Sequence, residues 1–527
     1  MDYRSMSFHE GWPDPRLVEL GAKLGFNDLC FQTERGLYKP LAQLRQRADR
    51  SGYFEWAKRY GMTVSLWVHE LMDYNPDWGE VAVDNDTLWS MLGDRYRKIL
   101  TDQFPEVDYL VLVVVETQIN VTESDLLVKL VQTLHSVCRE CGKRLIFRSF
   151  IHHPDELADV AAAIERMSDD VIIMTKSVPQ DWHTRSIDHP LIGKVGDKQQ
   201  VIEVDIAGEY FRMDNVCHCF PDVLDRQFKT WQAAGCCGIS VRVDRGWKPW
   251  KYQASVYGEA QEVNLWLLGR FAEGKADDFE KVWDEYARAT FGKKAAPAMI
   301  EALKTTGNTI AEGLYVEREP FGESKYQYSH PLVKLPKDEH AVAYPDDEDS
   351  FRRNPFHMAW SPFRWDDELV GPYHRIRTGH PEVIDRKEHT YKIELDYAEE
   401  SLDLIYSIRH ELPAGAYPFF RFKLEENLFQ LELYGEMQLA WLKMSCRLYN
   451  LDPHRSDDLL EEVHNHLRRV RKLQQRTGEG ITCTWKGRTH HLHRAQYVDI
   501  DAFVAEFCRY WRIEEEPRRF DSTVRDE

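Results

Sequence analysis

"VIEVDIAGEY", Val201 to Tyr210, is the stretch whose reading decides the fold. Val201, Ile202, Val204 and Ile206 suit a strand covered on both faces, yet Glu203 and Asp205 sit among them and Glu209 follows. Taking a carboxylate out of water without a partner is costly. Side chains alternate along a strand, so Glu203 and Asp205 share one face while Ile202, Val204 and Ile206 share the other. A closed barrel reconciles the two faces. The apolar face meets surrounding helices and the acidic face points inward. Glu203 then lies one layer deeper than Asp205 and is expected to be structural, with Arg144 or Arg148 as its partner. Asp205 approaches the rim, and Glu209 falls on the loop beyond, where a side chain meets substrate and water.

The same rhythm runs from the start of the chain to about residue 245. Short apolar runs occur at 3–10, 27–34, 62–70, 107–116, 143–153, 169–176, 200–206 and 237–245, with helix-like segments between most of them. "DPRLVELGAKLG" opens with Asp14 as a cap and Pro15 at the first helical position, where proline is well tolerated. Eight strands alternating with helices predict a parallel sheet with crossovers, closed as a (β/α)8 TIM barrel. A doubly wound open sheet is the competitor, but no glycine-rich phosphate loop follows any strand. Beyond the barrel, segments such as "YQASVYGEAQEVNLWLLGRFAEG" and "FRFKLEENLFQLELYGEMQLAWLKMSCRLYN" have helical periodicity. The expected organisation is a catalytic barrel over 1–250 and a mainly α-helical C-terminal region over 251–527. An irregular, aromatic-rich excursion is expected at 313–380.

Composition narrows the function classes. A chain of 527 residues with 43% hydrophobic and 12% aromatic content can bury more than one core. A formal net charge of −20 argues against a nucleic-acid partner, because an acidic surface repels a phosphate backbone. No apolar run approaches a membrane span, so no membrane partner is expected. The N-terminal residues lack a basic segment followed by an apolar one, and the ten cysteines do not form a disulfide framework. A cytoplasmic, reducing location is therefore expected. The number of C-terminal helices suggests a homodimer.

In a (β/α)8 barrel the active site lies at the C-terminal ends of the strands. Those ends are polar here: His9 and Glu10, Glu34, His69 and Glu70, Glu116, Arg148 with His152 and His153, Lys176, Asp205, then Arg242, Asp244 and Arg245. Glu116 closes the run "YLVLVVVE". A glutamate at an apolar rim has its charged form penalised, which suits a general acid near neutral pH.

"KSVPQDWH" (176–183) followed by "VIEVDIAGEYF" (201–211) resembles the α-glucuronidases of glycoside hydrolase family 67, which debranch xylan. The matching residues are Lys176, Pro179, Asp181 and Trp182, then Glu203, Glu209 and Tyr210. The segment ending in "VDYLVLVVVE" (107–116) and "LIFRSF" (145–150) resemble the family's strand before the catalytic acid and its next strand. The likeness covers roughly 85–210, with a looser echo to about 293. It implies that Glu116 is the general acid and that Asp181 and Glu209 activate water as general base. It implies that Arg148 and Lys176 hold a sugar carboxylate. Trp182, Asp205, Tyr210, His152 and Arg242 complete the expected substrate-binding set. The substrate implied is an oligosaccharide carrying an α-linked uronic acid, cut from its end with inversion, without a cofactor. The chain departs from the family in three places. "VVETQ" replaces a Ser-Glu-Gly turn, Ser177 and Val178 replace asparagine and glycine, and the family's N-terminal β-sandwich has no counterpart in this sequence.

Two rival functions keep the barrel but change the chemistry. A metal-dependent isomerase or hydrolase would use His9, His69, His152, His153, Asp205 and Asp244, although no pair has the spacing of a dedicated zinc motif. A carbohydrate-binding protein without catalysis would use the carboxylates as hydrogen-bond acceptors. No metal site is expected.

Overall fold

The structure is a computed structural model of the chain. It describes residues 1–8, 13–32, 41–71, 78–114, 123–151, 154–179, 182, 185–207, 216–247, 252–321, 365, 370–494 and 500–513. Eight parallel strands close into a barrel, as the spacing predicts: β1 (Tyr3–Phe8), β2 (Asp28–Gln32), β3 (Thr63–His69), β4 (Tyr109–Val113), β5 (Arg144–Arg148), β6 (Ile172–Lys176), β7 (Gln200–Asp205) and β8 (Gly238–Arg242). They pair in sequence order, and β8 returns to β1 with Ser7 opposite Arg242.

Around the barrel lie α1 (Pro15–Lys23), α2 (Leu41–Arg50), α3 (Tyr53–Tyr60), α4 (Asp86–Lys98), α5 (Ser124–Glu140), α6 (Glu156–Arg166) and α7 (Pro221–Ala233). The Asp14 cap forms as expected, its side chain accepting from the Arg16 amide at 3.0 Å with Pro15 behind it. No described residue of the β6–β7 connection is helical. That stretch turns back instead: the Ser177 amide donates to the Glu203 carbonyl at 2.8 Å, and the His189 amide to the Ser177 carbonyl at 3.2 Å.

Contacts divide the chain into two compact units. The first comprises Met1–Gly307, Glu400–Lys423 and Thr484–Thr489. It adds α8 (Glu262–Glu273), α9 (Phe279–Phe291) and α10 (Ala296–Lys304) to the barrel. Its last segment is tied down by Trp485, which donates to the Gly258 carbonyl at 2.7 Å. Lys486 there pairs with both oxygens of the buried Glu262 at 2.8 and 2.9 Å. The second unit comprises Asn308–Glu399, Leu424–Cys483 and His490–Glu527. Most of α11 (Thr306–Leu314) and α13 (Pro381–Ser407), all of α12 (Val370–Thr378), the C-terminal part of α14 (Ala416–Leu448), α15 (Ser456–Leu473) and α16 (Ile500–Trp511) lie in it. Its core gathers Trp441, Leu433, Met437, Val463, Val470, Phe503 and Phe507. Among the described residues no helix is long and apolar enough to cross a membrane.

Three local expectations need correction. The stretch 313–380 is not wholly irregular, since Val370–Thr378 is helical. Pro372 falls in the first turn of this helix, where proline leaves no needed amide unmade. The segment from Tyr252 was assigned to a helix, but Tyr252–Ser255 is β10, antiparallel to β9 (Asp244–Trp247), and α8 begins only at Glu262. Short apolar runs carry too few turns for period to separate strand from helix. A strand pair at Gly480–Trp485 and Arg488–His493 has no counterpart in the sequence reading, because "ITCTWKGRTHHLH" lacks a clean apolar alternation.

The barrel's interior confirms the face assignment made from β7. Tyr3, Cys30, Trp67, Val111, Val113, Ile146, Ile172, Met174 and Val201 form one buried cluster from inward positions of seven strands. At the N-terminal end this apolar filling meets Asp28, fully buried, which accepts from Ser5, Ser65 and Tyr3 on one oxygen (2.6, 2.8 and 3.1 Å) and from Thr63 on the other (2.7 Å). Burial pushes the Asp28 carboxyl up to about 6, although its four hydroxyl donors pull the other way. A carboxyl raised in the folded state favours folding fully below its unfolded pKa of 3.8, and that contribution is lost as pH rises through about 6. Asp28→Asn removes this dependence. Relative to the parent, the variant should gain about 2 kcal/mol of stability between roughly pH 4.5 and 7. Urea unfolding of both proteins at the two pH values measures it, and parallel pH profiles would contradict it.

Candidate functional site

The C-terminal half of the barrel is built around Glu203. Its position on β7 faces inward and its side chain has no exposed surface. Arg148, the last residue of β5, donates Nε to Glu203 Oε2 at 2.6 Å. Arg242, the last residue of β8, donates Nε to Glu203 Oε1 at 2.7 Å. Lys176, the last residue of β6, lies opposite Glu203 in the sheet register. Burial alone would raise the Glu203 carboxyl, but the charges of Arg148, Arg242 and Lys176 outweigh it and hold the group below its ordinary value. Glu203 is thus a fixed anion with three cations about it.

Aromatic faces wall the cations. The Arg148 guanidinium lies 4.8 Å from the Trp67 ring centre and 4.5 Å from that of Phe150. Lys176 Nζ sits between Phe150 at 4.0 Å and Trp182 at 3.9 Å. Arg242 lies over Trp182 at 4.4 Å and Trp67 at 5.4 Å. Such contacts stabilise a cation that has lost part of its hydration, most strongly over tryptophan. Trp182 is fixed in turn by donating Nε1 to the Glu203 carbonyl at 3.4 Å.

Among the described residues, Arg242 has one side of its guanidinium without a hydrogen-bond partner. Its side chain is 9% exposed, and one Nε bond goes to Glu203. A guanidinium with one edge pinned and the other open presents a rigid fork to a planar oxyanion.

The rim adds further groups. Asp205 is buried, and its Oδ1 accepts from the Ala207 amide at 2.7 Å, which shapes the end of β7. The Trp67 indole donates to His69 Nε2 at 3.1 Å. Glu70 accepts from the Tyr96 hydroxyl and from the Leu71 amide (3.1 Å), with Arg95 at 3.9 Å. Leu71 itself stands at φ 61°, a left-handed conformation that is costly for a bulky residue.

The structure brings together four of the residues expected from sequence, namely Arg148, Lys176, Trp182 and Arg242, and places Asp205 at the strand end beside Arg242 in register. Glu116, Asp181, Glu209, Tyr210 and His152 lie outside the described residues. Glu203 proves to be paired with Arg148, one of its two expected partners, and with Arg242 as well.

Three residues escaped the sequence reading. Trp67 and Phe150 look like ordinary strand hydrophobics until the barrel turns them toward the arginines. His189 lies in the β6–β7 connection, where no periodicity marks it. Its Nδ1 accepts from the Leu191 amide at 3.1 Å, so the neutral ring carries its proton on Nε2. Burial, then the charges of Lys176 and Arg148, push it down to about 3, so it adds no charge at neutral pH. Among the described residues no three His, Cys, Asp or Glu side chains gather as metal ligands would.

No family model matches the sequence, and no curated protein matches it. Among solved structures, the chain is similar to a GH138 enzyme targeting pectin rhamnogalacturonan II, with a TM-score of 0.58 and 12% identity over 97% of this chain and 83% of that one. A GH115 4-O-methyl-alpha-glucuronidase with specificity for decorated arabinogalactans gives a TM-score of 0.49 and 13% identity over 90% of this chain, which spans 59% of that enzyme's length. At 12% identity the likeness to the GH138 enzyme is one of fold.

Glu203→Gln should be severe. It leaves the inward arginines around an uncharged amide, and breaking a buried ion pair costs about 3–5 kcal/mol. Chemical unfolding of the variant tests this, and a loss below about 1 kcal/mol, the size of an exposed ion pair, would contradict it.

Proposed function

We propose that this chain is a glycoside hydrolase that removes a terminal α-linked, glucuronic acid-like sugar from an oligosaccharide with inversion, as its resemblance to the family 67 α-glucuronidases implies. The observation that carries the proposal is the gathering of Arg148, Lys176 and Arg242 about Glu203, between the rings of Trp67, Phe150 and Trp182. A neutral sugar gives no reason to collect three cations at the active end of a barrel. A sugar bearing a carboxylate does, and the open edge of Arg242 is the group shaped to receive it. Aromatic faces beside the cations suit the apolar face of a pyranose. The fold shared with an enzyme that targets a pectic polysaccharide is in keeping with this chemistry.

In this proposal residues 1–250 form the catalytic barrel and 251–527 the helical region. Glu116, following β4, is the general acid that protonates the leaving glycosidic oxygen. Asp181 and Glu209 remove a proton from water on the opposite face of the ring. Inversion needs the acid and the base about 6.5–9.5 Å apart so that water fits between them. With the carboxylate held at the arginines and Lys176, the sugar is anchored on the side away from its scissile bond. Glu203 is then an organiser: it fixes both arginines and takes no proton itself, since its neighbours keep it ionised.

A panel of aryl α- and β-glycosides, uronides included, with the product anomer read by NMR tests this directly. The α-uronide should be cleaved with inverted configuration. Glu116→Gln should lower kcat by about 10²–10⁴-fold, the usual worth of a general acid. Arg242→Lys retains the charge beside Glu203 but loses the fork, so KM for the uronide should rise on the order of tenfold while a neutral glycoside is unaffected. A retained anomer rules out the inverting mechanism. Unchanged turnover in both Glu116→Gln and Asp181→Asn rules out the assigned roles.

A further inference from the structure

We infer that the second unit holds a binding site for a small oxyanion ligand, a carboxylate or a phosphate, in a cavity between α13, α14 and α15. The cavity measures about 360 Å³. That is near the lower end of small-molecule sites and fits a ligand of monosaccharide size or less. It lies wholly within the second unit and shares no residue with the barrel site.

Its wall is made of charges that have been matched unevenly. Glu436 on α14 is buried and fully engaged. His466 Nδ1 meets one oxygen at 2.6 Å, Tyr391 donates to the other at 3.2 Å, and Arg469 reaches both at 3.0 and 3.1 Å. Lys443, only 4% exposed, lies 2.5 Å from Glu388 and 2.5 Å from Glu462, whose second oxygen takes Arg455 at 2.9 Å. Glu436 and Glu462 therefore have both oxygens taken, while Glu388 holds Lys443. The donors are not used up. Arg455 and Arg469 each spend one terminal nitrogen on a carboxylate, and Asn465 accepts from Arg468 through its carbonyl, which leaves its amide nitrogen.

The decisive group is His466. Its side chain is 5% exposed. Nδ1 is committed to Glu436, while Nε2 has no partner among the described residues, and the ring lines the cavity. A ring whose Nδ1–H is held by a carboxylate is fixed in orientation. What remains exposed to the cavity is the Nε2 lone pair of the neutral ring at its buried end, an acceptor, and the donors of Asn465 and the two arginines at its mouth. The complement of such a set is an oxyanion that also carries a hydroxyl, its charged oxygens toward the arginines and its O–H toward Nε2, as in hydrogen phosphate or a sugar acid.

Isothermal titration of the full chain with inorganic phosphate and with D-glucuronate tests this, with glucose as the neutral control. At least one anion should bind and glucose should not bind at this site. Which anion binds distinguishes a phosphate site from a carboxylate site. His466→Gln should weaken that binding at least tenfold. Asn465→Asp, a half-buried position on the helix surface, places a negative charge at the mouth and should weaken it comparably without threatening the fold. Because D-glucuronate is also expected at the barrel, the helical variants are compared in an Arg242→Lys background, which leaves the second unit unaltered. Absence of heat with both anions overturns the inference. So does binding in the Arg242→Lys background that survives both helical variants.

Discussion

Everything at the active end of the barrel depends on one buried carboxylate held by two arginines. Glu203 has no exposed surface, and Arg148 and Arg242 reach its two oxygens from β5 and β8, on either side of it around the barrel. Neither charge is tolerable there alone, because desolvating an ion without a partner costs several kcal/mol. Paired, they cross-link three strands through the barrel interior. The same bonds orient the guanidinium planes. With each Nε committed, the terminal nitrogens of Arg242 are left without a hydrogen-bond partner among the described residues. A structural ion pair thereby fixes how both guanidinium groups are held.

The aromatic residues complete this constraint. Lys176 between Phe150 and Trp182, and Arg242 between Trp182 and Trp67, keep their charge in a place where water is scarce. A partly desolvated cation attracts an incoming carboxylate more strongly than one in bulk water does. The neutral His189 beside this group adds polarity without adding a further positive charge. Positive charge is thus concentrated locally within a chain whose net charge is −20, since local arrangement, and not the total, sets the potential at a site.

How much of this could be read from sequence followed the physics of each signal. The barrel was legible because period-two alternation and strand–helix alternation are imposed by burial over long stretches, and β7 showed it most clearly. The inward direction of Glu203 followed from that alternation, which left Arg144 and Arg148 as candidate partners, and the structure selects Arg148. Its second partner did not, because the closure of β8 onto β1 and β7 is a three-dimensional fact that no local pattern encodes. Trp67 and Phe150 were hidden for the same reason, since an aromatic residue in a strand reads identically whether it fills a core or walls a cation. His189 was hidden because the β6–β7 connection has no helix and so no period. The β9–β10 pair and α12 were misread where short runs and a Gly-Pro pair gave ambiguous local signals. The donor cavity of the second unit was invisible in sequence, where its arginines and glutamates look like an ordinary solvated helix face.

The central claim is that the arginines ordered by Glu203 receive the carboxylate of a sugar acid. A crystal structure of the protein with D-glucuronate bound tests it most directly. The account predicts the sugar's carboxylate within about 3 Å of a terminal nitrogen of Arg242, with the Glu203 pairing unchanged and the ring against Trp182. A sugar bound at the barrel mouth with its carboxylate turned to solvent, or one that displaces Glu203 from either arginine, would contradict it.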